Sequence, residues 1–222
     1  MKRILFVGVL LLLSVPIAYY FLGPQGKVKA LPAINPIDVQ QDMVDPEMLR
    51  IGKGHRVGAF RFQNQDAKWI TDADMRGRVS VVEYFFTTCK SICPIMNSQM
   101  ERIQKKFSGQ PDVRIFSFTV DPETDTVAQM KRCATQHHAK AGQWHFLTGE
   151  KSALYALARR SFFVLKPAEA QNLGDAGSDF IHTNNFVLID QKMRIRGYYD
   201  GTNPKEVSLL QAHIEQLLAD PQ

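Results

Sequence analysis

Val79-Ser80-Val81-Val82-Glu83-Tyr84-Phe85-Phe86-Thr87-Thr88-Cys89-Lys90-Ser91-Ile92-Cys93-Pro94 is the stretch on which the reading of this 222-residue chain turns. Its first eight residues are almost uniformly apolar, as in a strand covered on both faces. Ile95, Met96, Met100, Ile103 and Phe107 then form a helical stripe, predicting a helix over residues 94–107. Pro94 suits the first turn of that helix, because its φ is already set and the N–H it lacks would have no partner there. Cys93 therefore falls at or beside the N-cap, with Cys89 in the loop before it. Both sulfurs are expected near the positive end of the helix dipole, which favours thiolate over thiol. Two isolated cysteines would read as small buried apolar residues. At this junction, the pair points instead to redox chemistry or to a soft metal ion. Redox pairs usually have two intervening residues; a third widens the loop and leaves room for an ion between the sulfurs.

Outward from this junction, residues 57–63 alternate as an outer strand would, and residues 113–120 read as a second central strand. A helix is expected over 125–138, a short strand over 144–147 and a helix over 151–163. A polar, glycine-containing loop over 166–179 precedes strands at 186–189 and 194–199, and a helix over 204–218 closes the chain. The order β-β-α-β-α-β-α-β-β-α predicts an α/β fold, a mixed sheet with helices on both faces. A strand that delivers a cysteine pair to the first long helix points to the thioredoxin architecture.

Residues 4–22 are nearly unbroken apolar sequence, interrupted by Gly8, Ser14 and Pro16. As a helix they would span roughly 28 Å, close to a bilayer's hydrocarbon thickness, and predict one N-terminal transmembrane anchor. Met1-Lys2-Arg3 favours a short inside tail, against a weaker opposing vote from Lys27 and Lys29. A cleaved signal peptide is the rival, with Val28-Lys29-Ala30 as its cut, but the apolar run is long for one. No cysteine ends the segment, so a lipoprotein anchor is not expected. Pro24, Gly26, Pro32, Pro36 and Pro46 punctuate a tether over 23–53, with one short helix around Pro46–Ile51. Residues 54–222 are then enough for one core. The net charge of +5 comes from scattered Lys and Arg, so a nucleic-acid partner is not expected. Three cysteines exclude a disulfide-stapled scaffold.

Soft thiolates select copper, zinc or iron–sulfur clusters, and a third, nitrogen ligand narrows the choice to copper or zinc. Of six histidines, His55 is beside the tether, His137 and His138 end a helix, His145 lies in an apolar strand and His213 in the last helix. Each reads as a structural or surface residue. His182 differs: it precedes the strand at Phe186, where thioredoxin relatives bring a loop, commonly with a cis-proline, close to their cysteines. Here that loop is His182-Thr183-Asn184-Asn185, with a nitrogen ligand and no proline. Asp121-Pro122-Glu123-Thr124-Asp125-Thr126 follows a strand; Asp125 reads as a helix cap, while Asp121 sits at a strand's carboxyl end, which faces the crevice in such sheets.

Together CKSICP, DPETDT, WHFLTG at Trp144–Gly149 and the late histidine resemble the Sco/SenC family of copper chaperones, from about Gly54 to the C-terminus. The resemblance implies a thioredoxin-like domain tethered to a membrane, facing the bacterial periplasm or the mitochondrial intermembrane space. It implies copper, as Cu(I) or Cu(II), held by Cys89, Cys93 and His182 with Asp121 nearby. The implied role is delivery to the binuclear copper site of cytochrome c oxidase, not enzymatic turnover. The implied partners are that oxidase subunit, another copper chaperone and a thiol reductant. The alternative is a thiol–disulfide oxidoreductase working through Cys89 and Cys93. Family members often have Asp before the histidine and Ser after it; here Ile181 and Thr183 stand there. Cys133 is an extra thiol expected on the inner face of a helix.

Overall fold

The computed structural model describes residues 30–164 and 184–219. The expected anchor at 4–22, the loop at 166–179 and His182 lie outside the described residues. Among the described residues, no helix is long and apolar enough to cross a membrane. From Pro32 on, the described residues form one compact unit.

Its centre is a seven-stranded mixed sheet of β1 (Arg61–Asn64), β2 (Trp69–Thr71), β3 (Val79–Phe85), β4 (Val113–Thr119), β5 (Trp144–Thr148), β6 (Asn185–Ile189) and β7 (Ile195–Asp200). The strand order is β2-β1-β5-β4-β3-β6-β7. β3, β4 and β5 run parallel, while β6 pairs antiparallel with β3, Val82 opposite Val187. All seven residues of β3 are buried, as its uniform apolarity requires of a central strand. The helices are α1 (Asp72–Met75), α2 (Cys93–Lys106), α3 (Val127–Gln136), α4 (Lys151–Leu157) and α5 (Pro204–Ala219).

Alternation along β3 puts Val82 and Tyr84 on one face and Val81, Glu83 and Phe85 on the other. On the first face Tyr84, Phe116 and Phe118 join Phe60, Phe62 and the α4 residues Leu154 and Leu157 in one core. The charge of Glu83 on the second face is felt at Cys93 of α2 and Cys133 of α3, which places those two helices there. The expected mixed sheet with helices on both faces is the fold observed.

Three features depart from the expected elements. The helix expected over 151–163 stops at Leu157, becomes a π turn over Ala158–Phe162, and ends at Phe163 in the left-handed region with φ 52°. The wide turn frees carbonyls that side chains then capture: His55 Nε2 lies 2.9 Å from the Ser161 carbonyl, and the Tyr198 hydroxyl donates to that of Phe162 at 3.0 Å. His55, expected beside the tether, is accordingly buried, and burial lowers its pKa against the Ser161 bond. Second, β2 and α1 were not expected, being too short to leave a period in the sequence.

Third, residues 32–53, read as tether, lie in the same compact unit as the sheet. Three 3-10 turns, Pro36–Asp38, Gln41–Met43 and Met48–Ile51, cross it. Ile34 N–H bonds Ile195 O at 2.9 Å, and Arg196 Nε bonds Pro32 O at 3.1 Å. Asn35 Oδ1 accepts from the backbone of Gly54 and His55, and Val44 is buried.

Candidate functional site

Parallel strands β3 and β4 end together, Phe85 opposite Thr119, and Val120 N–H bonds Phe85 O at 2.9 Å. Two loops therefore leave the sheet side by side, one carrying Cys89 and the other Asp121. In the first, Cys89 N–H closes a turn on Phe86 O at 3.2 Å. Ile92 is the N-cap of α2, without a side-chain cap bond, so Cys93 is the first helical residue and Pro94 the second. That is where proline costs no backbone bond.

Cys93 is buried, Cys89 is half-buried, and both are free thiols. Burial alone would raise Cys89, but hydrogen bonds from the thiol and backbone of Cys93, and then from Ser91, bring its pKa down to about 7. Ser91 Oγ stands 3.6 Å from its sulfur. The same arrangement works against Cys93: burial first, then the bond it gives to Cys89, pushes it far above the ordinary thiol value. The pair is one half-buried, readily ionised sulfur supported by one buried thiol.

Asp125 was expected to cap a helix. Thr126 does that instead, its side chain accepting from Gln129 N–H at 3.4 Å. Asp125 is fully buried and holds the cysteine loop: it accepts from Thr87 N–H at 3.2 Å, from the Thr87 hydroxyl and from Thr119 Oγ1 at 2.5 Å. Burial raises its pKa, and the threonine bonds oppose the rise. Gln129 Nε2 also donates to Thr87 Oγ1 at 3.1 Å. Asp121 is half-buried at the end of β4; its N–H bonds Thr119 Oγ1 at 2.9 Å and its carboxylate receives Thr124 N–H at 3.5 Å. Its charge raises Asp125. Sequence reasoning placed an acid beside the crevice at Asp121 and missed that Asp125 ties the crevice's two loops together.

Glu83 was also missed. It is fully buried; Ser117 Oγ donates to it at 2.6 Å and itself receives Trp144 Nε1 at 2.8 Å. Its second oxygen has no partner among the described residues. Burial raises its pKa to about 7, and its charge raises both Cys93 and Cys133. One acidic letter inside an apolar run was the available signal.

Beside the cysteine pair a cleft of about 320 Å³ opens between α2 and α3. Cys133 lines it from the inner side of α3, its thiol pushed up to about 12 by burial and by Glu83 and Asp125. The histidines read as structural are held in place. His137 bonds Glu101 at 2.7 Å, and His213 bonds the Tyr199 hydroxyl at 2.6 Å. His145 stacks on Phe116, burial pushing its pKa down to about 4. Among the described residues no group of three or more His, Cys, Asp and Glu could hold a metal ion; of the three expected ligands the described residues include two, Cys89 and Cys93, joined by a hydrogen bond. His182 lies outside them; β6, which follows it, enters the sheet at the end where β3 leaves for Cys89.

The SCO1/SenC family model matches residues 50–219. A SCO1 protein homolog of Bacillus subtilis is 36% identical over 149 residues, covering 66% of this chain and 75% of that protein. Among solved structures, BsSco, a member of the Sco family of cytochrome c oxidase assembly proteins with a disulfide switch, superposes with TM-score 0.61. It is 30% identical and covers 73% of this chain and 93% of its own. Bradyrhizobium japonicum ScoI, solved with copper bound, shares the fold at TM-score 0.54 and 21% identity over 72% of this chain and 99% of its own. With the cysteine loop, the fold and the family model agreeing along most of its length, this chain belongs to the SCO1/SenC family.

Proposed function

We propose that this protein is a copper chaperone, anchored by residues 4–22, that holds copper on Cys89, Cys93 and His182 and yields it to the binuclear copper site of cytochrome c oxidase. Its domain would face the periplasm or the mitochondrial intermembrane space. The observation that carries the reading is the paired sulfur site: a half-buried Cys89 with pKa near 7 beside a buried Cys93 at the start of α2. Two soft donors at the head of a helix suit copper(I). The entry of β6 beside the exit of β3 supports His182 as the third ligand. Carriage of copper toward an oxidase is in keeping with the copper held by ScoI of the same fold and the oxidase-assembly role of BsSco. A site with few ligands on a loop lets an acceptor's ligands enter before the donor's leave. Copper is cargo here, and no turnover is required of the chain.

The test is a competitive copper(I) titration of the full chain in detergent. His182→Ala should weaken binding at least about tenfold, whereas binding as tight as the parent's would overturn the three-ligand site.

A second reading has its own observation, the split between one ionisable and one proton-holding thiol. A thiol–disulfide reductant needs that split. Cys89 thiolate attacks a partner disulfide; Cys93 then loses its proton and attacks Cys89, releasing the partner as a dithiol and leaving Cys89–Cys93 oxidised. Reduction rates undiminished by His182→Ala would favour this reading. The oxidised pair cannot bind copper through thiolates, so the same two electrons gate loading.

A further inference from the structure

The cleft beside the cysteines is walled on one side by α3 residues Gln129, Arg132, Cys133 and Gln136 and on the other by Cys93 and Asn97 of α2, with Cys89 at its edge. The α3 residues recur at the three- and four-residue spacing that puts side chains on one helix face. Arg132 is exposed, and among the described residues no carboxylate pairs with it; its guanidinium bonds Gln129 Oε1, at 2.9 Å through Nε. Gln136, one turn on, is exposed, and among the described residues its side-chain amide has no hydrogen-bond partner. At about 320 Å³ the cleft is at the small end of ligand sites, which begin near about 300 Å³. It thus presents a cation, a peptide-like amide and a reactive sulfur within one small hollow. Exposed Ile95, on the first turn of α2, adds an apolar contact outside it.

We propose that the α2–α3 cleft receives a short cysteine-bearing peptide with an acidic side chain beside the cysteine, its carboxylate on Arg132 and its backbone on Gln136, so that its sulfur meets Cys89. This rests on Cys89 being the exchanging sulfur and names the surface through which an acceptor approaches it. Binding through Cys89 thiolate is a single displacement: Cys89 sulfur bonds the peptide sulfur and the peptide's former disulfide partner departs as thiolate. Cys93 then displaces the peptide as its thiolate and closes the Cys89–Cys93 disulfide.

The probe is an acetylated, amidated Asp-Cys dipeptide whose cysteine is a mixed disulfide with thionitrobenzoate, so release of the coloured thiolate reports attack by the reduced full chain. The reference is the same mixed disulfide of neutral N-acetylcysteamine. Arg132→Glu should lower the ratio of peptide rate to reference rate about three- to tenfold, the range of an exposed charge pair turned repulsive. Added salt should shrink the difference. A ratio equal to the parent's overturns the proposal. If both probes slow together, Gln136→Glu on the same wall decides, and an unchanged ratio there also overturns it. Copper(I) titration of Arg132→Glu should match the parent, so that loss of the peptide preference is traced to this cleft and not to the metal site; a parent that binds copper but shows no peptide preference counts against this cleft alone. An unmetallated parent with the preference intact counts against copper carriage alone.

Discussion

Cys89 owes its low pKa to hydrogen bonds, so it can be tuned without touching sulfur. Its alkylation by iodoacetamide should outpace that of buried Cys93 and Cys133, with a midpoint near pH 7, and Ser91→Ala should move that midpoint upward. Mass mapping against pH reads both outcomes. Glu83 makes the opposite statement. Its ordinary pKa of 4.5 rises to about 7 on folding, so between those values the native chain holds a proton that the unfolded chain has lost. Stability due to this group is therefore fully present below about pH 4.5 and is lost as pH rises through 7, by ~3 kcal/mol. Glu83→Gln keeps an acceptor for Ser117 and removes the titration. Denaturant melts at pH 5 and pH 8 should differ by ~3 kcal/mol less in the variant than in the parent. An equal difference in both proteins would mean the carboxyl is not held neutral. Cys89 and Cys93 were legible because spacing, strand and proline all bear on the same few letters. Glu83 and Asp125 were not, since their meaning lies in Ser117 and Thr87, 34 and 38 residues away, and no local pattern records such a partner.

At the scale of elements, the cysteine loop is held as much from the β4–α3 connection as from its own helix. Asp125→Ala removes the acceptor for Thr87 N–H, Thr87 Oγ1 and Thr119 Oγ1 together. Leaving those donors, of half-buried Thr87 and buried Thr119, without their acceptor should cost about 2–4 kcal/mol, a few times the cost of one unmade bond. Copper(I) affinity should fall with it although no sulfur is changed; a melt together with a titration separates the two effects. Normal affinity in a destabilised protein would show that the loop holds its shape unaided. β3 was readable from its unbroken apolar run and α2 from its long helical stripe. The π turn was not, because Leu154, Leu157 and Ala158 keep a helical stripe right up to the widened turn, and the partners of its freed carbonyls, His55 and Tyr198, are remote in sequence. β2 and α1, of three and four residues, are too short for a period of two or of 3.6 residues to occur twice.

For the whole molecule, the boundary near Gly54 drawn from proline punctuation separates residues that the fold joins. A chain shortened to begin at Gly54 loses the burial of Val44, the Ile34–Ile195 bridge and the Asn35 bonds to Gly54 and His55. It should melt lower than the full chain by roughly 3–5 kcal/mol, one aliphatic side chain and a few hydrogen bonds; equal denaturant midpoints would show this stretch to be ornamental. Asp190 sits at the same end of the account: fully buried, it pairs with Arg194 and Arg196, and Arg196 in turn holds Pro32. The pairing of β3 with β6 carries a temporal consequence. It joins residues about a hundred positions apart, Val82 with Val187, and such distant contacts are slow to form because chain closure precedes any reward. A chain still folding therefore offers its two sulfurs to passing ions and oxidants well before the far half of the sheet arrives. An ion or oxidant met in that interval would find sulfurs that lack the supports of the finished loop, the Asp125 bonds to Thr87 and Thr119 among them.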